Sequence, residues 1–433
     1  MREINMDKYR KLLESSGADA WEITDTKTTG WEFYFIGHRL DQNRVRNVEE
    51  ITLTVYKLSE DGSSLGSASA AVAPDESMQN LEKTVEDLVF QASLVENRPY
   101  RLNPPRPLEK MEVAPEPLAD MAGQFIRTMK GLPETENEYL NSYEIFVSHV
   151  ERRLMNSEGI DITEHYPTSS LELVVNAKDN AHEIELYRLM DMGECQPERL
   201  HDDVAKLLAF GRDRLRTVPT PAGLHVPVLL STDAALSVYE YFLAQLDAAF
   251  LVRGMSRFEI GKEITENVKG DRITIEAKRM LTGSSMNFAA DAEGAPIQDA
   301  VLIKDNVPCR FVGRRMFSSY MGLEDAFAVS NWAVSGGSRS GEELRSGANL
   351  EIVEFSDFQV DSMTGDIFGE IRLAYYRDGE GHVTPVSGGS ISGNMADTLP
   401  EMYLSKELVQ YNHAVIPAVT RLTNVTVAGA EQE

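Results

Sequence analysis

Residues 231–254 read STDAALSVYEYFLAQLDAAFLVRG, the longest apolar-rich run in the chain. Ser231, Thr232 and Asp233 are residues that cap helices. Arg253 and Gly254 supply a favourable last-turn charge and a C-cap. The polar side chains at Asp233, Ser237, Glu240 and Asp247 recur at helical spacing and share one narrow stripe with Ala244. The spacing predicts a single helix over 233–252, buried on most sides. Its one acidic line faces either solvent or a groove.

Outward from this helix the pattern changes on both sides. The break Val218-Pro-Thr-Pro-Ala-Gly223 and a strand over His225–Leu230 precede it. Beyond residue 272 the chain reads as strands and glycine-rich turns: RITIEA, AVLIKD, LEIVEF, FGEIRLAYY and VIPAVTRLTNVTVAG. Upstream, residues 7–15 form a short amphipathic helical pattern. WEFYFI (31–36) and ITLTVYKL (51–58) read as strands, Asp61-Gly62 as a hairpin turn, and 78–92 as a helix. Six prolines between Pro99 and Pro117 mark a crossing or linker. A helix near 118–130, strands at 143–155 and 170–177 and a helix opened by Pro197 follow. The expected fold is α+β in three parts: an N-terminal α/β domain (1–98), a central domain beginning with the proline-rich crossing (99–222) and a β-rich C-terminal domain (223–433).

A chain of 433 residues is long enough for two or three domains, and 42% hydrophobic content supports globular folding. A formal net charge of −27 argues against a phosphate-backbone partner and against anionic lipid. No direct nucleic-acid or membrane partner is therefore expected. The two cysteines, Cys195 and Cys309, imply no disulfide framework, and the first residues lack the apolar core of a signal peptide. The expected location is the cytoplasm.

Sites with autonomous chemistry are weakly signalled. His182-Glu183 begins like a zinc-protease HExxH, but the second histidine is missing. Ser335–Gly341 and Ser387–Gly393 are glycine-rich, yet neither holds Gly-Lys-Ser/Thr or G-x-S-x-G, so turns are the plainer reading. The eight histidines are scattered, with no pair at metal-ligand spacing. A peptide could be held by main-chain pairing with a strand edge in the β-rich part. Phe358 and Val360, with Gly388, Gly389 and Gly393, are the candidates for lining such a cleft, and ordinary core strands and turns are the alternative.

The order of several short motifs is more specific than any one of them. Gly17-Ala-Asp-Ala20, Asn156-Ser-Glu-Gly159, Pro221-Ala-Gly223 followed by VPVLLS, Asp291-Ala-Glu-Gly-Ala-Pro296, Val301–Asn306, Val360-Asp-Ser-Met-Thr-Gly365 and Val427-Ala-Gly429 run through nearly the whole chain. In this order the chain resembles the TldD/PmbA (TldE) family, often labelled modulators of DNA gyrase and implicated in proteolysis. In its catalytic TldD-like members, HExxxH on the organising helix and a later cysteine hold zinc. With Arg253-Gly254 as anchor, the resemblance places the first histidine at Tyr239, the glutamate at Glu240 and the second histidine at Ala244. No cysteine lies between Leu399 and Pro417, where the third ligand is expected.

The resemblance therefore implies a PmbA/TldE-like chain without metal ligands, and no catalytic residue beyond the remnant Glu240. It implies a non-catalytic subunit that pairs with a TldD-like zinc metallopeptidase, or forms a homodimer, in peptide degradation or maturation. Zinc is expected only in the TldD-like partner, and no cofactor here. Two alternatives come from other classes: a regulatory or scaffold protein acting on a protein partner, and an autonomous hydrolase of unknown mechanism. Region 316–346 has no place in the family pattern.

Overall fold

The computed structural model describes residues 6–109 and 116–430, so Pro115 of the proline-rich crossing lies outside the described residues. The first half comprises α1 (Asp7–Ser15), β1 (Ala20–Ile36), β2 (Arg39–Leu58), β3 (Leu65–Val72), α2 (Met78–Ser93), α3 (Leu118–Lys130), β4 (Glu138–Asn156), β5 (Asp161–Lys178), β6 (Glu183–Met192) and α4 (Pro197–Arg214). Its strands form one antiparallel sheet in the order β3-β2-β1-β4-β5-β6. β1 pairs with β4 from Glu22 opposite Asn156 to Ile36 opposite Ser142. That pairing spans the boundary expected between residues 98 and 99. The prolines interrupt the helices and leave the sheet continuous.

The helices cover this sheet where its strands alternate. Ser77 caps α2 by accepting from the Asn80 N–H, and Leu81, Val85, Leu88 and Ala92 then face Ile23, Ile51, Leu53 and Val55. Pro197 stands at the first turn of α4, where its missing N–H costs nothing. Leu200, Val204, Leu207 and Leu208 pack with Met121 and Phe125 of α3 onto Leu171, Leu173 and Val175. Among the described residues, β6, at the sheet's end, is hydrogen-bonded only to β5.

The second half comprises β7 (Val218–Pro219), β8 (Val228–Leu230), α5 (Leu236–Gln245), α6 (Ala248–Val252), β9 (Ile275–Lys278), β10 (Ala300–Lys304), β11 (Val307–Pro308), α7 (Arg315–Tyr320), β12 (Asn331–Val334), α8 (Gly341–Leu344), β13 (Ala348–Val360), β14 (Asp366–Asp378), β15 (Val383–Ser387), β16 (Ser390–Asn394), α9 (Met395–Thr398), β17 (Tyr403–Leu404), β18 (Leu408–Tyr411), β19 (Ala414–Pro417), β20 (Thr420–Leu422) and β21 (Thr426–Ala428). One sheet runs β11-β10-β9-β12-β19-β18. The other runs β17-β20-β8-β13-β14-β15-β7, with β16 and β21 added beside β14. Both sheets and α5 contribute to a single core, which includes Val228, Leu350, Ile275, Trp332, Tyr239 and Phe242. The fold is α+β, as the sequence pattern predicts. No helix among the described residues is long and apolar enough to cross a membrane.

The expected single helix over 233–252 is broken. A short 3-10 turn (Asp233–Ala235) leads into α5, which ends at Gln245, and α6 begins at Ala248. Asp247 between them is extended, with φ −75° and ψ 131°, and its carboxylate accepts from the Ala249 N–H at 2.7 Å. Val312 completes the break: its carbonyl accepts from the Ala248 N–H at 2.8 Å, and its own N–H donates to Leu246 O at 3.1 Å. An aspartate competes with helical hydrogen bonding and favours caps, and here it caps the second segment. Asp247 therefore does not belong to the stripe. Gly254, with φ +69°, ends α6 as predicted.

The short motifs that carry the family resemblance build turns. Asn156 Oδ1 accepts from the Glu158 and Ile160 N–H groups. Asp291 accepts from Glu293, Ala295 and Ala328, and Asp361 from Met363 and Thr364. Region 316–346 is also structural: it runs from α7 through β12 to α8, where Ser340 and Glu343 form a reciprocal capping box. Added Cβ atoms at Gly336 and Gly337 would lie 2.7 Å and 2.3 Å from the carbonyl oxygens of Lys406 and Leu404. Only glycine admits so close a backbone approach.

Candidate functional site

A cleft of about 1030 Å³ opens between the first half's α4 and β6 and the C-terminal domain's β13, β14 and β18–β19 hairpin. Two strand edges border it, because among the described residues β6 pairs only with β5 and β18 only with β19. Charged pairs hold its walls together. Arg188 of β6 reaches Asp233 at 3.1 Å and also contacts Glu354 of β13. Tyr375 of β14 donates to Asp213 of α4 at 2.7 Å.

Deeper in the cleft, Glu351 is enclosed by two guanidinium groups, Arg345 at 2.6 Å and Arg377 at 2.9 Å. Burial by itself raises the Glu351 carboxyl. The hydrogen bonds from Arg345 and Ser231 and the charges of Arg345 and Arg377 outweigh it, so its pKa lies below the ordinary value. His413 is pushed the other way: burial lowers its pKa and favours neutral imidazole.

The cleft shares Arg188, Thr232, Asp233, Leu236 and Val353 with a smaller pocket of about 360 Å³. Ser237 and Glu240 from α5 form one wall, and Glu354, Phe355 and Phe358 from β13 another. The Phe355 and Phe358 rings are stacked, with centroids 4.5 Å apart and planes 27° apart. Glu240 keeps much of its side chain in solvent at the pocket, and partial desolvation, with no neighbouring charge acting, raises its pKa.

Two of the sequence-predicted residues, Glu240 and Phe358, thus meet at one pocket. The others lie elsewhere. Tyr239 points into the core, fully buried, with its hydroxyl 2.7 Å from Thr420 Oγ1. Ala244 is half-buried and offers only a methyl group. α5 is regular α-helix through Gln245, so positions 239 and 244, about 140° apart, diverge around it. A core-bound phenol committed to Thr420 and a methyl group are not a zinc donor set. Val360 is buried in the core. Gly388 and Gly389 form the β15–β16 turn and exchange backbone hydrogen bonds with Ile371, and Gly393 sits in the β14–β16 ladder opposite Ile367. The Gly388 amide donates to the Ile371 carbonyl, and the Gly389 carbonyl accepts from the Ile371 N–H.

Among the described residues one group has metal-ligand proximity, Asp378, Glu380 and His382. It lies on the exposed β14–β15 turn, where the Asp378 carboxylate is already bonded to its own turn's Glu380 and His382 N–H groups and to the His382 ring.

Sequence reading missed Arg188, Arg345, Glu351, Arg377 and the Asp213–Tyr375 pair. They come from elements far apart in the chain and carry no motif.

The architecture is that of an α+β protein with a cleft between its halves. Residues 223–429 match the family model described as the PmbA/TldA metallopeptidase C-terminal domain. That match places the C-terminal part of the chain with the PmbA/TldA metallopeptidase family. Its fold is similar over 98% of its length to TldE from Thermococcus kodakarensis, with a TM-score of 0.79, 16% identity and 100% of that chain covered. It is similar to a protein from Thermotoga maritima named as a proposed modulator of a DNA gyrase, with TM-score 0.76, 17% identity and 98% and 99% of the two chains covered. A protein of the same description from Bacteroides thetaiotaomicron aligns with TM-score 0.73 and 14% identity over 99% and 100%. A comparison with curated proteins gave no match.

Proposed function

We propose that this chain is a non-catalytic, PmbA/TldE-like subunit that pairs with a TldD-like zinc metallopeptidase and helps to handle peptides in their degradation or maturation. One observation carries the reading. The α5 position that the family resemblance assigns to the first zinc histidine is Tyr239, fully buried and hydrogen-bonded to Thr420. Ala244, at the second, has no donor atom, which leaves Glu240 with no metal-bound water to activate. In this reading zinc belongs to the partner, and this chain contributes a wall of the peptide chamber.

The test is affinity purification from the native cell, with zinc measured in the complex and in the isolated chain. A metallopeptidase subunit should co-purify, with zinc in the complex alone. Stoichiometric zinc in the isolated chain, or chelator-sensitive peptide cleavage by it, overturns the reading. Recovery of a different regulatory target without a metallopeptidase would favour a scaffold role, the alternative that the gyrase-modulator names of two similar structures raise.

A further inference from the structure

We infer that the small pocket between α5 and β13 binds the positive end of a peptide, with Glu240 as its ionic partner and the Phe355–Phe358 pair as its apolar wall. The shared chemistry is a lysine or arginine side chain or a free amino terminus. This rests on the reading that the chain handles peptides, and deepens it.

Asp233, Glu240 and Glu354 line the pocket with Arg188, and Arg214 and Arg372 also act on Glu354 from beyond the lining, so Glu240 is the carboxylate left without a counter-charge. Arg188 is already shared between Asp233 and Glu354. Glu240 has no hydrogen bond or ion pair among the described residues, and no neighbouring charge acts on it. An anion entering beside α5 would meet the uncompensated Glu240 carboxylate. A neutral side chain would leave Glu240 unpaired, whereas a cation completes the site.

The aromatic wall fits the same ligand. Phe358 lies opposite Gly369 of β14, where an added Cβ would come within 2.7 Å of the Phe355 ring and 2.8 Å of the Phe358 ring. The missing side chain lets both rings lie against the sheet and pack on each other. Stacked rings accept the methylene stem of a long basic side chain and attract its charged end. A volume of about 360 Å³ stands at the lower end of small-ligand sites, suited to one side chain or chain terminus. The pocket's continuity with the larger cleft gives the rest of an extended peptide somewhere to lie.

The experiment is calorimetric titration of the isolated chain with three short alanine-based peptides. One is acetylated with a central lysine, one is acetylated with norleucine in its place, and one carries norleucine with a free amino terminus. At least one cationic peptide should bind about tenfold more tightly than the neutral one, or about 1.4 kcal/mol. Which one does so identifies the source of the charge. Glu240→Gln should erase the preference, with the neutral peptide's affinity and the thermal midpoint unchanged, since Glu240 is exposed and unpartnered. The preference should also shrink as salt rises from about 0.05 to about 0.5 M. Equal affinity for all three peptides, no measurable binding of any, or a preference that survives in Glu240→Gln overturns the proposal. Because the titration uses the isolated chain, a failed co-purification removes the pairing reading and leaves this result standing, and the reverse also holds.

Discussion

Glu22 should make this protein less stable as the pH rises through neutrality, and Glu22→Gln should remove that loss. The residue lies on β1, where Tyr56 of β2 donates to its carboxylate at 2.5 Å. Burial raises its pKa most, the Tyr56 hydrogen bond opposes this, and the carboxylates of Glu293 and Asp291 add to the rise, which takes it from 4.5 to about 7. The folded state therefore holds the proton more tightly than the unfolded chain. Its contribution is fully present below pH 4.5, falls as the pH climbs, and is lost above about pH 7. At about 1.4 kcal/mol for each pH unit, the loss reaches about 3 kcal/mol, an upper value because the side chain is only half-buried. Glutamine mimics the protonated acid and still accepts from Tyr56. Urea unfolding at pH 4.5 should give matching midpoints for wild type and Glu22→Gln, and at pH 8 a higher midpoint for the variant. Equal midpoints at both values, or a less stable variant at pH 8, would refute the electrostatic account of this site.

The double substitution Tyr239→His with Ala244→His restores the letters of HExxxH without a third ligand. Loss of the buried ring and its bond to Thr420 should cost about 2–4 kcal/mol in thermal unfolding, with no peptide cleavage by the isolated variant. Chelator-sensitive cleavage would show that a third ligand is already present. Gly389→Val should destabilise the fold by at least about 1–3 kcal/mol, because φ is +77° there and a Cβ would lie 2.2 Å from the Ala428 carbonyl oxygen. Phe358→Ala should leave most of the stability and weaken peptide binding. A stable Gly389→Val with impaired binding would move that turn into the site.

Local physics was legible in the sequence wherever one segment decides its own geometry. The apolar face of 78–92, the Pro197 start of α4, the Asp61-Gly62 hairpin and the turn at Asn156–Gly159 each follow from spacing and backbone preference over a few residues, and the structure has them all. The chemistry of Tyr239 and Ala244 was legible too, since neither side chain can serve as a histidine whatever surrounds it. Tertiary structure decided the rest. Asp247 breaks the organising helix because Val312, distant in sequence, supplies the hydrogen-bond partners that make the break affordable. The β1–β4 pairing carries one sheet past the prolines because strands find edges by register, which a linker's composition does not encode. Glu351 became a buried carboxylate between two arginines, and Glu240 the unpaired carboxylate of a pocket, through which elements happened to face them. Local sequence sets backbone preference and side-chain chemistry. Burial, charge pairing and the cleft itself are properties of contacts between residues tens to hundreds of positions apart, and exist only once the chain has packed.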